Sequence, residues 1–221
     1  MNVELARFNM IEQQIRPWEV LDPAVLALLG SMQREDFLPP ALRALAFVDT
    51  QVPLVEGEPG GPCMLEPKVE ARLLQELRLQ RHERVLEVGT GSGFMAALLA
   101  HRAASVTTLE IRADLIANAE RNLRHAGLSR FTVVHADGAA GWPTGAPFDA
   151  ILLSGSVAAV PKALLQQLRV GGRLAAVVGE LPVMRARLFT RANESSWSDV
   201  DLFDTVAPRL QGFGEASRFT F

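Results

Sequence analysis

Apolar side chains recur at three- and four-residue spacing through Ala24, Val25, Leu28, Leu29 and Met32, with prolines at 17, 23, 39 and 40 between them, so residues 1–45 are predicted as a helical cap. From Gln51 to Met64, prolines and glycines crowd together without a period, which predicts a loop with at most one short strand at its start. The helical period returns from Val69 to about Leu79, and Arg84-Val85-Leu86-Glu87-Val88 then reads as a strand. Beyond it, strand-like and helix-like segments alternate. Ser105 to Glu110, Phe131 to His135, Phe148 to Ser154 and Arg173 to Val178 are the strands, and Ala113 to Ala126 and Pro161 to Leu168 are the helices. Nearly continuous apolar strands alternating with helices predict an α/β fold of the Rossmann-like kind, a mainly parallel sheet with helices on both faces. Two strand-like pieces, Met184 to Arg191 and Phe203 to Leu210, have no helix between them and predict an antiparallel C-terminal edge. The whole of residues 1–221 reads as one domain, with a helical cap and loop over 1–68 and a core over 69–221.

The strand Val85 to Val88 runs into Gly89-Thr90-Gly91-Ser92-Gly93, and Phe94-Met95-Ala96-Ala97-Leu98-Leu99-Ala100 continues as a helix. Glycines allow a sharp turn and close approach of the backbone to a ligand, and the amides at a helix start favour an anion. A dinucleotide fingerprint places its third glycine three residues after the second, where this chain has Phe94, so a nicotinamide cofactor is the weaker alternative. The Gly-x-Gly-x-Gly spacing, with Glu87 two residues ahead of Gly89, is the pattern of class I S-adenosylmethionine methyltransferases. Glu110 closes the next strand, where a carboxylate can accept both hydroxyls of an adenosine ribose; the weaker alternative is a charge at the start of the helix before Ala113. Asp137-Gly138 ends the third strand, either hydrogen-bonding an adenine amino group or making a plain strand-end turn.

Composition narrows the chemistry further. Net charge is −3, and no run of Lys and Arg gathers to neutralise a phosphate backbone, so nucleic acid is not the expected partner. The single cysteine, Cys63, and four histidines offer no disulfide framework and no zinc-type cluster, and no metal is expected. The amino-terminal residues carry an early acid without an apolar run behind it, and the longest apolar stretch, Ala150 to Val160, falls short of the roughly 20 residues a bilayer requires. Neither a secretory signal nor membrane association is expected, and the location expected is cytoplasmic. Tyrosine is absent, which removes the phenol acid/base chemistry of several dehydrogenases.

Leu86 to Phe94, Asp137-Gly138, Ala146-Pro147-Phe148-Asp149-Ala150-Ile151, Pro161, Leu164 to Leu168 and Gly171-Gly172 together resemble the protein-L-isoaspartate (D-aspartate) O-methyltransferase family. Arg34-Glu35-Asp36-Phe37-Leu38-Pro39, Ala46-Phe47-Val48-Asp49 and the ending Phe213 to Phe221 are similar to it as well. The resemblance implies S-adenosylmethionine as cofactor, held by Glu87, Gly89, Thr90, Gly91, Ser92, Gly93, Glu110, Asp137 and Gly138, and a protein or peptide methyl acceptor facing Met64, Leu65 and Glu66. It further implies repair of isomerised aspartyl residues, whose displaced α-carboxylate is methylated before the ester collapses through a succinimide. In that family a Ser or Thr stands where this chain has Leu65, which cannot donate a hydrogen bond to an acceptor. The alternatives are a methyltransferase with another acceptor and a non-catalytic S-adenosylmethionine-binding protein. No side chain is singled out as catalytic, and the oligomeric state is not legible.

Overall fold

The computed structural model describes residues 2–58 and 60–214, so most of the similar ending from Phe213 onward lies outside the described residues. The cap opens with helix α1 (Val3–Met10), whose first turn is closed by the Asn2 side chain accepting from the Leu5 amide at 3.1 Å. Helix α2 (Pro23–Ser31) starts on Asp22, which accepts from the amides of Ala24 and Val25, with a proline in the first turn where no intrahelical donor is missed. Short 3₁₀ turns fill Arg34–Phe37 and Pro40–Phe47. The predicted loop carries strands β1 (Val52–Pro53) and β2 (Cys63–Met64), paired antiparallel with Val52 opposite Met64, one strand more than expected.

Helix α3 (Pro67–Leu77) leads to β3 (Arg84–Val88), then α4 (Phe94–Arg102), β4 (Ser105–Glu110), α5 (Ala113–His125), β5 (Phe131–His135), β6 (Phe148–Val157), α6 (Lys162–Gln166) and β7 (Leu168–Glu180). Strands β8 (Val183–Arg191) and β9 (Trp197–Asp204) complete a sheet of order β5-β4-β3-β6-β7-β8-β9. Strands β3 to β7 pair in parallel, while β8 and β9 are antiparallel. Successive residues of the central strands face opposite cores. Val85, Ala150, Leu152 and Val177 meet α3, α4 and the cap on one side, whereas Leu86, Ile151, Leu153 and Ala176 meet Leu164 and Leu168 on the other. Among the described residues no helix is long and apolar enough to cross a membrane.

The strand expected at Phe203 to Leu210 instead runs over Trp197–Asp204. Its pattern is masked because Asp199, Asp201 and Asp204 face Arg185 and Arg187 on β8, so cross-strand ion pairs replace an apolar alternation. Residues beyond it turn back across the sheet, where the Ser156 amide donates to the Pro208 carbonyl at 2.7 Å and the Leu210 amide to the Ser156 carbonyl at 2.9 Å. The strap so formed lies over the carboxyl ends of β3 and β6.

Asp149 pins the opposite end of the sheet, accepting from the Arg84 amide at 2.8 Å and pairing with Arg169 at 2.8 Å. Asp149→Asn keeps the shape and removes the charge, and about 1 kcal/mol of stability should go with it, read from the denaturant midpoint. Ligand affinity should not change, because Asp149 lies at the amino end of β6 and the glycine turn follows the carboxyl end of β3. An unaltered midpoint would show that neither contact contributes.

Candidate functional site

The glycine turn follows β3, the middle one of the five parallel strands, and opens at the carboxyl edge of the sheet, where α/β folds bind their ligands. Gly91 has φ of 52°, a left-handed conformation costly for any branched residue, and a Cβ there would stand 3.2 Å from Leu54 Cδ1. Its bare backbone forms the floor of a cleft lined by Val88, Glu110, Ala136, Gly138, Ser154 and Leu210. Gly93 has a different task. It precedes α4, and a Cβ on it would press to 3.2 Å on Ala119 O and Leu123 Cγ of α5, so this glycine allows the two helices to pack.

Glu110 is buried at the end of β4, with Oε2 accepting from the Gly91 amide at 2.8 Å and Oε1 from the Arg112 amide at 2.9 Å. The carboxylate therefore fixes the glycine turn, and each oxygen keeps a lone pair for a ligand hydroxyl. Asp137 caps the turn Gly138–Ala140 by accepting from the Ala139 amide at 2.9 Å. Its neighbours Ala136 and Gly138 line the cleft, and the close packing of Gly138 on Val88 leaves no room for a Cβ.

Glu87 is fully buried under the turn. It accepts from the hydroxyls of Thr108 and Ser154, both at 2.7 Å, and burial pushes its carboxyl up to about 8. Thr90 continues the chain through a 2.7 Å contact with Thr108, and Ser92 Oγ accepts from the Phe94 amide at 3.3 Å. Thr90 and Ser92 thus set the turn's shape.

The loop ahead of α3 forms the facing wall. Met64 is buried in β2, and Leu65 is buried and lines the cleft. Glu66 turns away to Gln51, whose Nε2 lies 3.3 Å from Oε1. Behind Leu65 sits Arg34, almost fully buried, which donates through Nε to Ala46 O at 3.0 Å and through Nη2 to Leu65 O at 2.6 Å. Its Nη1 pairs with Glu70, and the guanidinium stacks 4.8 Å from the Phe94 ring centre. Burial raises the Glu70 carboxyl to about 7 against the opposing pull of Arg34. The Cys63 thiol, half-buried beside Glu70 and Glu66, is pushed up to about 12 by desolvation and by those carboxyls, away from the thiolate form that reacts.

Arg34, Glu70, Thr108, Ser154 and the strap at Leu210 are not evident from the sequence pattern. One signal for Glu70 was present, since it falls on the apolar stripe of α3 with Leu73, Leu74 and Leu77, where an unpaired charge is not tolerated.

A profile of the family described as protein-L-isoaspartate(D-aspartate) O-methyltransferase matches residues 6–204. A protein-L-isoaspartate O-methyltransferase of Methanoculleus marisnigri is 40% identical over 173 residues, which are 78% of this chain and 77% of that protein. Protein-L-isoaspartate O-methyltransferase 2 of Marinobacter nauticus is 38% identical over 207 residues, 93% of each chain. Among solved structures, a Plasmodium falciparum protein described as a protein-L-isoaspartate O-methyltransferase in complex with S-adenosyl-L-homocysteine superposes with a TM-score of 0.78 at 20% identity, covering 96% of this chain and 99% of that one. That likeness confirms the mainly parallel fold. With the profile spanning cap, loop and sheet alike, the chain belongs to the protein-L-isoaspartate(D-aspartate) O-methyltransferase family.

Proposed function

We propose that this protein is an S-adenosylmethionine-dependent methyltransferase acting on a protein or peptide acceptor, the isomerised aspartyl carboxyl being the acceptor its family points to. The observation that carries this is the buried Glu110 carboxylate locked onto the bare Gly91 backbone at the carboxyl edge of the sheet. The cofactor fits these residues. A ribose needs an acceptor pair, which Glu110 provides, and an adenosyl group needs a floor without side chains, which Gly89, Gly91 and Gly138 provide. Asp137 would have to leave its cap on Ala139 or use its second oxygen to reach an adenine amino group.

S-Adenosylmethionine, when bound, supplies an electrophilic methyl group on sulfur. An isoaspartyl carboxylate is already ionised near pH 7 and needs no base, so the protein's task is to hold it in line with that methyl group. The turn Gly89 to Gly93, fixed by Glu110, Thr90 and Ser92, orients the donor side. The loop Met64 to Glu66, fixed through Arg34, orients the acceptor side. Leu65 on that loop favours a second reading, an acceptor group without negative charge. Transfer of labelled methyl from S-adenosylmethionine into an isoaspartyl peptide and into protein extract tests the function. Label in either acceptor supports it, and label in neither, from protein that binds the cofactor, contradicts it.

Glu110→Ala should weaken S-adenosylhomocysteine binding by about 1.5 kcal/mol, roughly tenfold, at the lower end for hydrogen bonds to charged groups because both oxygens already accept backbone amides. An unchanged dissociation constant with a lowered melting temperature would assign Glu110 to the turn's architecture alone.

A further inference from the structure

The strap after β9 lays Pro208, Arg209 and Leu210 along the wall of the cofactor cleft. Its backbone is fixed there, because Arg209 bridges to Ser156 of β6, whose amide donates to Pro208 O and whose carbonyl accepts from the Leu210 amide. Leu210 turns down onto the sheet, where a Cβ on Gly89 would stand 2.9 Å from its Cδ2. Neighbouring side chains of an extended segment point opposite ways, so Arg209 turns outward. It is exposed and donates through Nη2 to Gly179 O of β7 at 2.9 Å.

Two arginines line this cleft, Arg112 and Arg209, and they differ in what holds them. Arg112 is engaged by Glu58 at 2.6 Å and by Asp114 at 2.7 Å. Arg209 has no carboxylate partner among the described residues, and the one hydrogen bond its side chain makes there goes to a neutral carbonyl. A guanidinium carries five N–H donors, so most of those on Arg209 remain for a ligand.

We propose that Arg209 receives the carboxylate of the acceptor, pairing with it from the strap side of the cleft; the proposal rests on the methyltransferase function above and favours its isoaspartyl reading over an uncharged acceptor. A carboxylate that leaves water needs a cation or several donors in return, and the Leu65 side chain on the facing wall offers neither. The planar guanidinium matches two carboxylate oxygens at once, which orients the acceptor as well as attracting it. Position in the sheet agrees. Glu110 ends β4 and Gly179 lies on β7, so the order β4-β3-β6-β7 sets them three strand spacings apart, about 14 Å. With the ribose on Glu110, the Arg209 side of the cleft is left to the acceptor. The cofactor carries a carboxylate of its own, and the experiment separates the two.

The test compares two peptides on the unmodified protein saturated with S-adenosylhomocysteine: one with an isoaspartyl residue, the other identical except that the displaced α-carboxyl is a carboxamide. Calorimetry at low salt should show the carboxylate peptide bound about tenfold more tightly, with the ratio shrinking as salt is added. Arg209→Gln should bring the two peptides within about twofold by weakening the carboxylate peptide, and leave S-adenosylhomocysteine affinity unchanged, while Arg209→Lys should recover part of the difference. Weaker S-adenosylhomocysteine binding in Arg209→Gln with the peptide ratio intact would assign the residue to the cofactor's carboxylate and overturn the proposal. Equal loss of both peptides in that variant overturns it too, since a merely structural strap would act on both alike. Equal or tighter binding of the carboxamide peptide by the unmodified protein overturns it whether or not the variant folds, as does failure of both peptides to bind. Arg209-dependent binding of the carboxylate peptide without methyl transfer from S-adenosylmethionine is a different result, which supports the role of Arg209 and contradicts the methyltransferase function.

Discussion

Gly91→Val should remove measurable binding of S-adenosylmethionine. The residue sits at φ of 52°, where a β-branched side chain is strained, and its Cβ would stand 3.2 Å from Leu54 Cδ1 with two methyl groups still to place. Relief of that strain must move the Gly91 amide, which donates to Glu110 at 2.8 Å, so floor and ribose acceptor are lost together. A loss of at least about 3 kcal/mol, more than a hundredfold, follows from combining backbone strain of about 1–3 kcal/mol with a charge-assisted hydrogen bond. Gly127→Val is the control. Gly127 is also left-handed, at φ of 75°, but has open space around it, so that variant should lose stability without losing affinity. If Gly91→Val folded and bound the cofactor normally, the turn would be architectural only.

Leu65→Ser should raise methyl transfer to an isoaspartyl peptide about tenfold to a hundredfold, from a slow unmodified rate. Leu65 is buried on the wall of the cleft, and its backbone is anchored by Arg34 at 2.6 Å, so a serine there would keep its place and present a hydroxyl. One hydrogen bond to a charged group contributes about 1.5–3 kcal/mol, which sets the expected range. Glu66 does not oppose the gain, because it is turned to Gln51. Cofactor affinity should stay nearly constant, and steady-state kinetics beside calorimetry would separate the two effects. Robust isoaspartyl activity of the unmodified protein, equal to that of Leu65→Ser, would show that the loop backbone positions the acceptor without a hydroxyl.

The alternation of strands and helices was readable because the central parallel strands are nearly continuous apolar runs, and Val85 to Val88 is followed by a turn whose glycines are each required by space or by φ. The edge was harder to read. Strand β9 carries its pairing in Asp–Arg contacts, which resemble a solvated loop in sequence, and Trp197, whose indole donates to Leu165 O at 3.0 Å, marks its start only once the fold is known. At the site, the residues named from spacing divide by role. Gly89, Gly91, Glu110 and Gly138 line the cleft, while Glu87, Thr90, Ser92, Gly93 and Asp137 shape what lies beneath or beside it. Spacing along one chain locates a turn but does not say which way each side chain faces. Arg34 and Glu70 are 36 residues apart and meet only through tertiary packing, so no local pattern joins them.

The most direct measurement is a calorimetric titration of the purified protein with S-adenosylhomocysteine, run beside one with a nicotinamide dinucleotide. Saturable binding of S-adenosylhomocysteine at one site per chain, weakened by Glu110→Ala and lost in Gly91→Val, with no binding of the dinucleotide, is the predicted result. No binding of S-adenosylhomocysteine at millimolar concentration, or tighter binding of the dinucleotide, would contradict it.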